Sequence, residues 1–296
     1  MSRCKLSGLP RSAVSRVLML ARLTEGRRQG SAFSVTALLP FAVVAFAAML
    51  GRRPTIMRSL SDGERQAATI AGFAYLLSFA TLVAVNFGIF EPLVAHATPV
   101  ETARNILTHE TQFRVGIAGL VLNCVGIMVV SAAFYVVLEP VNRMLALTAM
   151  LSRLVYGMTW LLLSLNSFTA LRLLTQPEYG GFPADQLALL ARVHLSGHDA
   201  YYVGLLFWSL AVIIGAILWH RSQLVPRALA MLGAITGIWC AMCTFALYVV
   251  PRFSDSVDLW LFDTPMVLYE LALCSLLLFR NFCLSTGAAA PPRNSR

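Results

Sequence analysis

Charged residues are scarce in this sequence. Only 12% of its 296 residues are Asp, Glu, Lys or Arg, whereas 58% are hydrophobic. A soluble domain has about 25% charged and about 45–50% apolar residues, so the composition excludes an ordinary soluble protein. The sequence also has no GxSxG or HExxH motif, no phosphate-binding glycine loop and no dinucleotide fingerprint. It therefore lacks the common sequence signs of hydrolases, ATPases and dehydrogenases.

Long apolar segments are what the sequence has instead. A membrane-spanning helix needs about 20 apolar residues, and six segments meet this requirement. They are approximately 68–90, 115–138, 145–167, 199–219, 228–250 and 264–280. Only helices and closed barrels satisfy every backbone polar group within lipid, and the short alternating segments of a barrel are missing. The sequence therefore predicts an all-α, polytopic transmembrane helix bundle with six spans.

The basic residues lie mostly on one side of these spans. Seventeen of the 23 basic residues fall there with four acidic residues, whereas the opposite loops hold nine acidic residues and five arginines. This asymmetry follows the positive-inside rule, so we expect both termini to be cytoplasmic. Basic side chains at a membrane surface bind anionic headgroups. The net charge of +9 therefore predicts membrane lipids, and no nucleic acid, as partners.

The N-terminal part has three interpretations. The apolar segment 34–50 is short for a seventh span, which would also place the basic N-terminus outside. A cleaved signal peptide would invert every later loop. We favour translation from Met57, with Ser61 or Asp62 capping the first helix, so that the preceding residues are untranslated or loosely attached. The predicted parts are a basic extension, a membrane domain and a disordered tail: 1–56, 57–285 and 286–296.

The six cysteines do not predict a disulfide framework, because none lies in a predicted outer loop. Cys240 and Cys243 have the CxxC spacing of a redox or metal site. No second pair and no βαβ pattern accompany them. We interpret them as small packing residues of an apolar helix.

Arg153 is a permanent positive charge inside the third apolar segment. Its guanidinium cannot lose its proton, and its insertion costs a few kcal/mol, so it needs a partner or a water cavity. Glu270 is the only acidic residue well inside a span. Each of the two lies ten residues from a basic residue at the predicted cytoplasmic end, Arg143 and Arg280, and thus about 15 Å deep. The matched depths predict a buried ion pair that makes the third and sixth spans neighbours.

Other polar side chains are candidates for a cluster around this pair. They are Asn123, Tyr156, Asn166 and Tyr269. Such a cluster is either a functional site, such as a proton relay, an anion site or a gate, or a structural contact that fixes which helices meet. The one-to-one match of the two charges leaves none spare for a ligand, so both interpretations stay open. No residue is predicted to be catalytic.

Histidines lie at the predicted outer end of the bundle. His194 and His198 are four residues apart, so they share one helix face if a helix covers both, and Asp199 follows. With His96 and His109 of the first outer loop they are candidate zinc ligands for an interfacial hydrolase. Interfacial histidines and tyrosines usually anchor helices at the headgroups. We therefore expect no metal and no other cofactor.

Several segments of the sequence resemble a known family. They are RQAATIAGFAYLL (65–77), LEPVNRMLALTAMLSRLVYG (138–157), HRSQLVPRALAMLGAITG (220–237) and YELALCSLLL (269–278). Over about residues 60–282 the chain resembles the bacterial six-helix membrane family called domain of unknown function 4386. Arg153 and Glu270 match its pattern, and His198 resembles its histidine at the head of the fourth span. The resemblance implies a six-helix fold in a bacterial inner membrane and leaves the activity open.

Two classes of function are consistent with these observations. The first, which we favour, is a non-enzymatic integral membrane protein that binds or passes a small or lipid-like molecule in a cavity beside Arg153 and Glu270. The second is an interfacial metal-dependent hydrolase that uses the outer histidines.

Overall fold

A computed structural model of the chain describes residues 60–94, 98–196, 199–250, 253 and 260–287. The predicted extension 1–56, with its apolar segment 34–50, lies outside the described residues. So does most of the predicted tail 286–296.

The described part of the chain is helical and contains no strand. Six helices are long and apolar enough to cross a membrane, which confirms the predicted six-span, all-α bundle. They are α1 (Asp62–Val85), α4 (Glu110–Leu138), α5 (Arg143–Thr175), α7 (Asp199–Ser222), α8 (Arg227–Val249) and α9 (Trp260–Gly287). A π-helical turn and a short helix continue α1: Asn86–Phe90 and α2 (Glu91–Val94). The orientation of the termini stays a prediction.

Capping side chains set the starts of two helices, α1 and α5, ahead of the predicted spans. The Ser61 hydroxyl accepts from the Glu64 backbone N–H at 3.4 Å, and the Glu64 carboxylate accepts from the Ser61 N–H at 2.7 Å. This reciprocal capping box starts α1 at one of the two predicted caps. At the start of α5, the Asn142 side chain accepts from the Leu145 N–H at 3.0 Å. Hydropathy marks only the part of a helix that contacts lipid, and it misses such ends.

The bundle has two ends, which we name by residues. At the Glu139 end, a short turn joins α4 to α5. At the opposite Asp263 end, α9 begins, and two short helices connect the spans: α3 (Pro99–Thr108) and α6 (Ala184–Leu195).

The short helices α3 and α6 pack against each other and against α5. An apolar cluster joins them to the spans: Leu93, Ile106, Phe113, Ile117, Ala170, Leu171, Ala191 and Leu195. Polar contacts add to it, because Arg192 donates to the Val94 carbonyl at 2.7 Å. The Thr98 N–H and hydroxyl both donate to Glu101 at 2.9 Å, which starts α3 and lowers the pKa of Glu101. The Asp263 end is therefore a folded layer above the bundle.

Small residues on α8 permit close helix contacts. A Cβ on Gly237 would lie 3.3 Å from the Ser209 carbonyl oxygen of α7, and a Cβ on Gly233 would overlap the Tyr269 ring of α9. Both glycines are buried. Cys240 and Cys243, on the same helix, are buried free thiols. The sequence GAITG thus allows α8 to approach two neighbours at once.

Candidate functional site

The structure brings Arg153 of α5 and Glu270 of α9 together in the bundle. The Arg153 Nη1 donates to Oε2 of Glu270 at 3.1 Å, and Nη2 donates to Oε1. Arg153 is 7% exposed and Glu270 is 1% exposed. The pair is therefore bidentate and almost completely shielded from solvent, which is the strongest geometry for a guanidinium and a carboxylate.

An aromatic ring completes the environment of the arginine. The Cζ of Arg153 lies 5.3 Å from the ring centroid of Phe134 on α4. A cation near an aromatic face gains about 0.5–2 kcal/mol, with the upper value in a desolvated site. Glu270 neutralises the charge of Arg153, and the Phe134 ring adds a favourable contact to the same guanidinium. These contacts join α4, α5 and α9 at one level of the bundle.

A small cavity borders the ion pair on the side of the Glu139 end. Its volume is about 20 Å³, enough for one water molecule, which needs about 10–15 Å³. Helices α4, α5, α7 and α9 line it. The lining includes Ser131, Phe134, Tyr135, Leu138, Ala146, Arg153, Trp219, Tyr269 and Glu270. The site therefore has polar groups on several walls and an interior far smaller than an organic ligand.

The four predicted cluster residues lie at different depths. Tyr269 lines the cavity, and Tyr156 is buried one turn from Arg153. Asn166 lies thirteen residues beyond Arg153 on α5, about 20 Å along the axis. Asn123 lies eleven residues from Phe134 on α4, about 16 Å along the axis. The two tyrosines are thus near the ion pair, and the two asparagines are at other levels.

Sequence reasoning missed a second polar contact, between α7 and α9. The Tyr201 hydroxyl donates to the carboxylate of Asp263. Asp263 is half-buried and has no ion-pair partner among the described residues. It lies seven residues before Glu270, so the two carboxylates share one face of α9 about 10 Å apart. This spacing was the available signal, but the predicted sixth span began at residue 264 and left Asp263 in a loop.

Aromatic rings fill the space between this contact and the ion pair. Tyr156 stacks on Trp208, with centroids 4.9 Å apart, and its centroid is 6.4 Å from that of Tyr201. Trp160 lies 5.3 Å from Tyr201 and 6.2 Å from Tyr156. The indole N–H of Trp208 is buried without a hydrogen-bond acceptor among the described residues. Unpaired buried donors are rare, so Trp208 gives this region one donor that no described side chain uses.

The candidate zinc ligands are only partly described. His96 and His198 lie outside the described residues. His109 stands between α3 and α4, with Nδ1 3.1 Å from the Asn105 carbonyl oxygen, and His194 is half-buried on α6. Within the described ranges, no three His, Cys, Asp or Glu side chains are grouped to hold a metal ion. Asp199 begins α7. The expectation that these residues hold no metal stays a prediction.

Residues 70–280 match the family described as Domain of unknown function (DUF4386). The chain belongs to this family, which confirms the resemblance seen in its sequence. No curated protein and no solved structure gave a significant match.

Proposed function

We propose that this member of the family binds or passes a small or lipid-like molecule that carries an anionic group, at the cavity beside Arg153 and Glu270. One observation carries the proposal: a buried bidentate ion pair forms part of the wall of a cavity between four helices. Ionisable residues inside membranes usually mark substrate or ion pathways.

A gain in folding stability alone does not account for a buried ion pair. Replacing a buried ion pair with apolar residues of similar volume is often neutral or stabilising in soluble proteins. An apolar contact would join α5 to α9 without removing two charges from water. The retained charges therefore support a role in recognition or transport.

The ion pair allows a carboxylate or phosphate of a ligand to take the place of the Glu270 carboxylate at Arg153. Glu270 occupies both donors of one guanidinium edge of Arg153. A ligand carboxylate or phosphate presents the same oxygens, so it can replace Glu270 at Arg153. The cavity of about 20 Å³ must widen for this, because pockets for organic ligands have about 300–1,000 Å³. Separation of α5 from α9 opens the site and breaks the pair in one movement.

Two probes with the same tail test the proposal. Oleate carries a carboxylate, whereas oleyl alcohol does not. In the purified full chain in detergent, we expect oleate to raise the melting temperature more than oleyl alcohol, because only oleate can bind Arg153. The difference should disappear in Arg153→Leu and persist in Arg172→Leu, a control in the last turn of the same helix. Equal shifts with both probes, or an unchanged difference in Arg153→Leu, would contradict the proposal.

The membrane and the orientation are also part of this proposal. Six apolar helices indicate a multi-pass membrane protein, and we place it in a bacterial inner membrane with the Glu139 end in the cytoplasm. The support is the excess of basic residues at that end. A reporter fused after residue 285 should respond as cytoplasmic, and one inserted at Gly180 should respond as external. The reverse pattern would contradict the orientation.

The hydrolase alternative stays a prediction. Its candidate ligands include His96 and His198, which lie outside the described residues, and no other observation favours it. Stoichiometric zinc in purified protein that is lost on His198→Ala would support it.

A further inference from the structure

We propose that the bundle also carries protons between its two ends along a row of carboxyl and hydroxyl groups, with Glu270 as the central proton site. The row consists of Glu139, Tyr135, Glu270, Tyr156, Tyr201 and Asp263. This activity does not depend on the binding of an organic anion.

The row begins with an exposed carboxylate at the Glu139 end. The Tyr135 hydroxyl donates to Glu139 at 3.0 Å, and the Glu139 side chain is 41% exposed. Tyr135 lines the same cavity as Glu270. One water molecule fits in about 20 Å³ and has Tyr135, Arg153 and Glu270 as polar neighbours. Solvent at this end is therefore connected to Glu270 through one phenol and a cavity of the right size for a water.

The opposite end of the row is the Tyr201–Asp263 contact. Asp263 is half-buried near the start of α9, and its partner is the hydroxyl of Tyr201. A carboxylate bonded to a phenol takes up and releases a proton more readily than one bonded to a guanidinium, because no fixed positive charge holds it ionised. Asp263 thus suits proton entry or exit at this end.

Tyr156 lies between Tyr201 and the ion pair. It is one turn from Arg153 on α5, and its ring centroid is 6.4 Å from that of Tyr201. A phenol both donates and accepts a hydrogen bond, so it can receive one proton and release another. The Tyr156 ring therefore lies between Tyr201 and the level of the ion pair, within the roughly 10 Å that separates the levels of Asp263 and Glu270.

The length of the row matches the membrane. Arg143 contacts Glu139 at 3.5 Å and lies ten residues before Arg153 on α5. Asp263 lies seven residues before Glu270 on α9. At 1.5 Å per residue these steps amount to about 25 Å, close to the roughly 30 Å of a hydrocarbon core. The groups therefore occupy three levels across the bundle instead of one local cluster.

Among the described residues, titratable groups of several helices approach the two carboxylates. The groups near Glu270 are Tyr75, Arg153, Tyr156, Tyr269 and Cys274. The groups near Asp263 are Tyr156, Tyr201 and Cys240. Arg153 is the only cation among them, so protonation of Glu270 leaves one net positive charge at mid-depth.

The transfer conserves protons at each step. When Asp263 takes up a proton, the Tyr201 hydroxyl must first turn from the Asp263 oxygen toward Tyr156. The Asp263 carboxyl O–H then breaks as its proton moves to the Tyr201 oxygen, and Tyr201 releases its own proton to Tyr156. Tyr156 likewise passes a proton to a Glu270 oxygen, which leaves Arg153 protonated and temporarily without its counter-charge. Glu270 then releases the proton through the cavity to Tyr135 and Glu139. Each hydroxyl loses one proton and gains one, so one proton crosses in total.

Proteoliposomes that contain the full chain and the pH dye pyranine test this inference. A potassium gradient with valinomycin sets a potential, negative inside, that draws protons inward. We expect faster acidification than in protein-free vesicles, and Glu270→Gln and Asp263→Asn should slow it at least about tenfold, since each removes a positioned proton carrier. The matched control is Asp185→Asn, which removes an exposed acid of α6 and should keep the wild-type rate.

Asp263→Asn decides the result if Glu270→Gln does not fold, because it leaves the ion pair intact. Acidification equal to that of protein-free vesicles, or a wild-type rate in folded Asp263→Asn, would overturn the inference. Asp263→Asn should keep the oleate response, so the failure of one proposal is distinguishable from the failure of the other.

Discussion

The two carboxylates of α9 lie on one helix face but are stabilised in different ways. Glu270, at mid-depth, is 1% exposed and makes a bidentate pair with Arg153. Asp263, two turns nearer the end, is half-buried and accepts a hydrogen bond from Tyr201. Burial decides the difference, because a carboxylate removed from water needs a full counter-charge, whereas a half-hydrated one is stabilised by a hydrogen bond. Removal of a partner should therefore cost more at Glu270 than at Asp263.

The largest expected effect is the loss of one member of the ion pair. Arg153→Leu or Glu270→Leu leaves the other charge buried and uncompensated, which costs about 3–5 kcal/mol in soluble proteins. We expect a low yield of folded protein by fluorescence-detected size exclusion. The double variant should recover part of this yield. Additive losses in the double variant would show that the two charges do not stabilise each other.

The hydroxyl of Tyr201 should contribute less. Tyr201→Phe removes one hydrogen bond to a charged group, worth about 1.5–3 kcal/mol, but leaves Asp263 partly hydrated. A modest fall in the melting temperature is expected, smaller than that of Glu270→Leu. A loss as large as that of the ion-pair variants would mean that Asp263 depends on Tyr201 as strongly as Glu270 depends on Arg153.

Packing beside Glu270 sets a third effect. A Cβ on Gly233 would overlap the Tyr269 ring, whereas a Cβ on Gly63 would meet nothing within 4 Å. Overpacking costs about 1–3 kcal/mol, so Gly233→Ala should lower the melting temperature. Gly63→Ala, near the start of α1, should keep or raise it, because alanine favours a helix over glycine by about 1 kcal/mol. Equal effects of the two alanines would show that α8 and α9 can separate without cost.

The smallest effect is expected for an exposed ion pair. Arg114 and Glu110 are 2.7 Å apart on α4, with side chains 51% and 40% exposed. Such helix pairs contribute about 0.3–0.5 kcal/mol, so Arg114→Leu should leave the folded yield nearly unchanged. A loss close to that of Arg153→Leu would contradict the argument that burial determines the cost.

The sequence predicts the spans well because lipid imposes both helical structure and apolar composition. It also predicts that Arg153 and Glu270 lie at one depth, since a count of ten residues from each predicted cytoplasmic end needs only the helical rise. The same count applied to Asn123 and Asn166 would have separated them from the pair. They were grouped by residue type without regard to depth.

Asp263 and the helix ends were harder to predict for a different reason. Asp263 stands two residues before Pro265, and this combination resembles a loop although α9 begins at Trp260. Pro265 is the sixth residue of α9 and lies inside the helix, where proline removes one backbone hydrogen bond, so the sequence does not suggest a helix that begins before it. The contact between Asp263 and Tyr201 joins residues 62 positions apart. It depends on how α7 packs against α9 and not on local sequence.

The most direct measurement is an oleate titration of the Arg153→Leu/Glu270→Leu double variant, followed by its melting temperature in detergent. Removing both charges keeps the apolar contact between α5 and α9, so the protein should fold without its anion-binding group. We expect oleate then to stabilise the variant no more than oleyl alcohol does. A folded double variant that keeps the wild-type response to oleate would contradict the claim that the buried pair is the binding site.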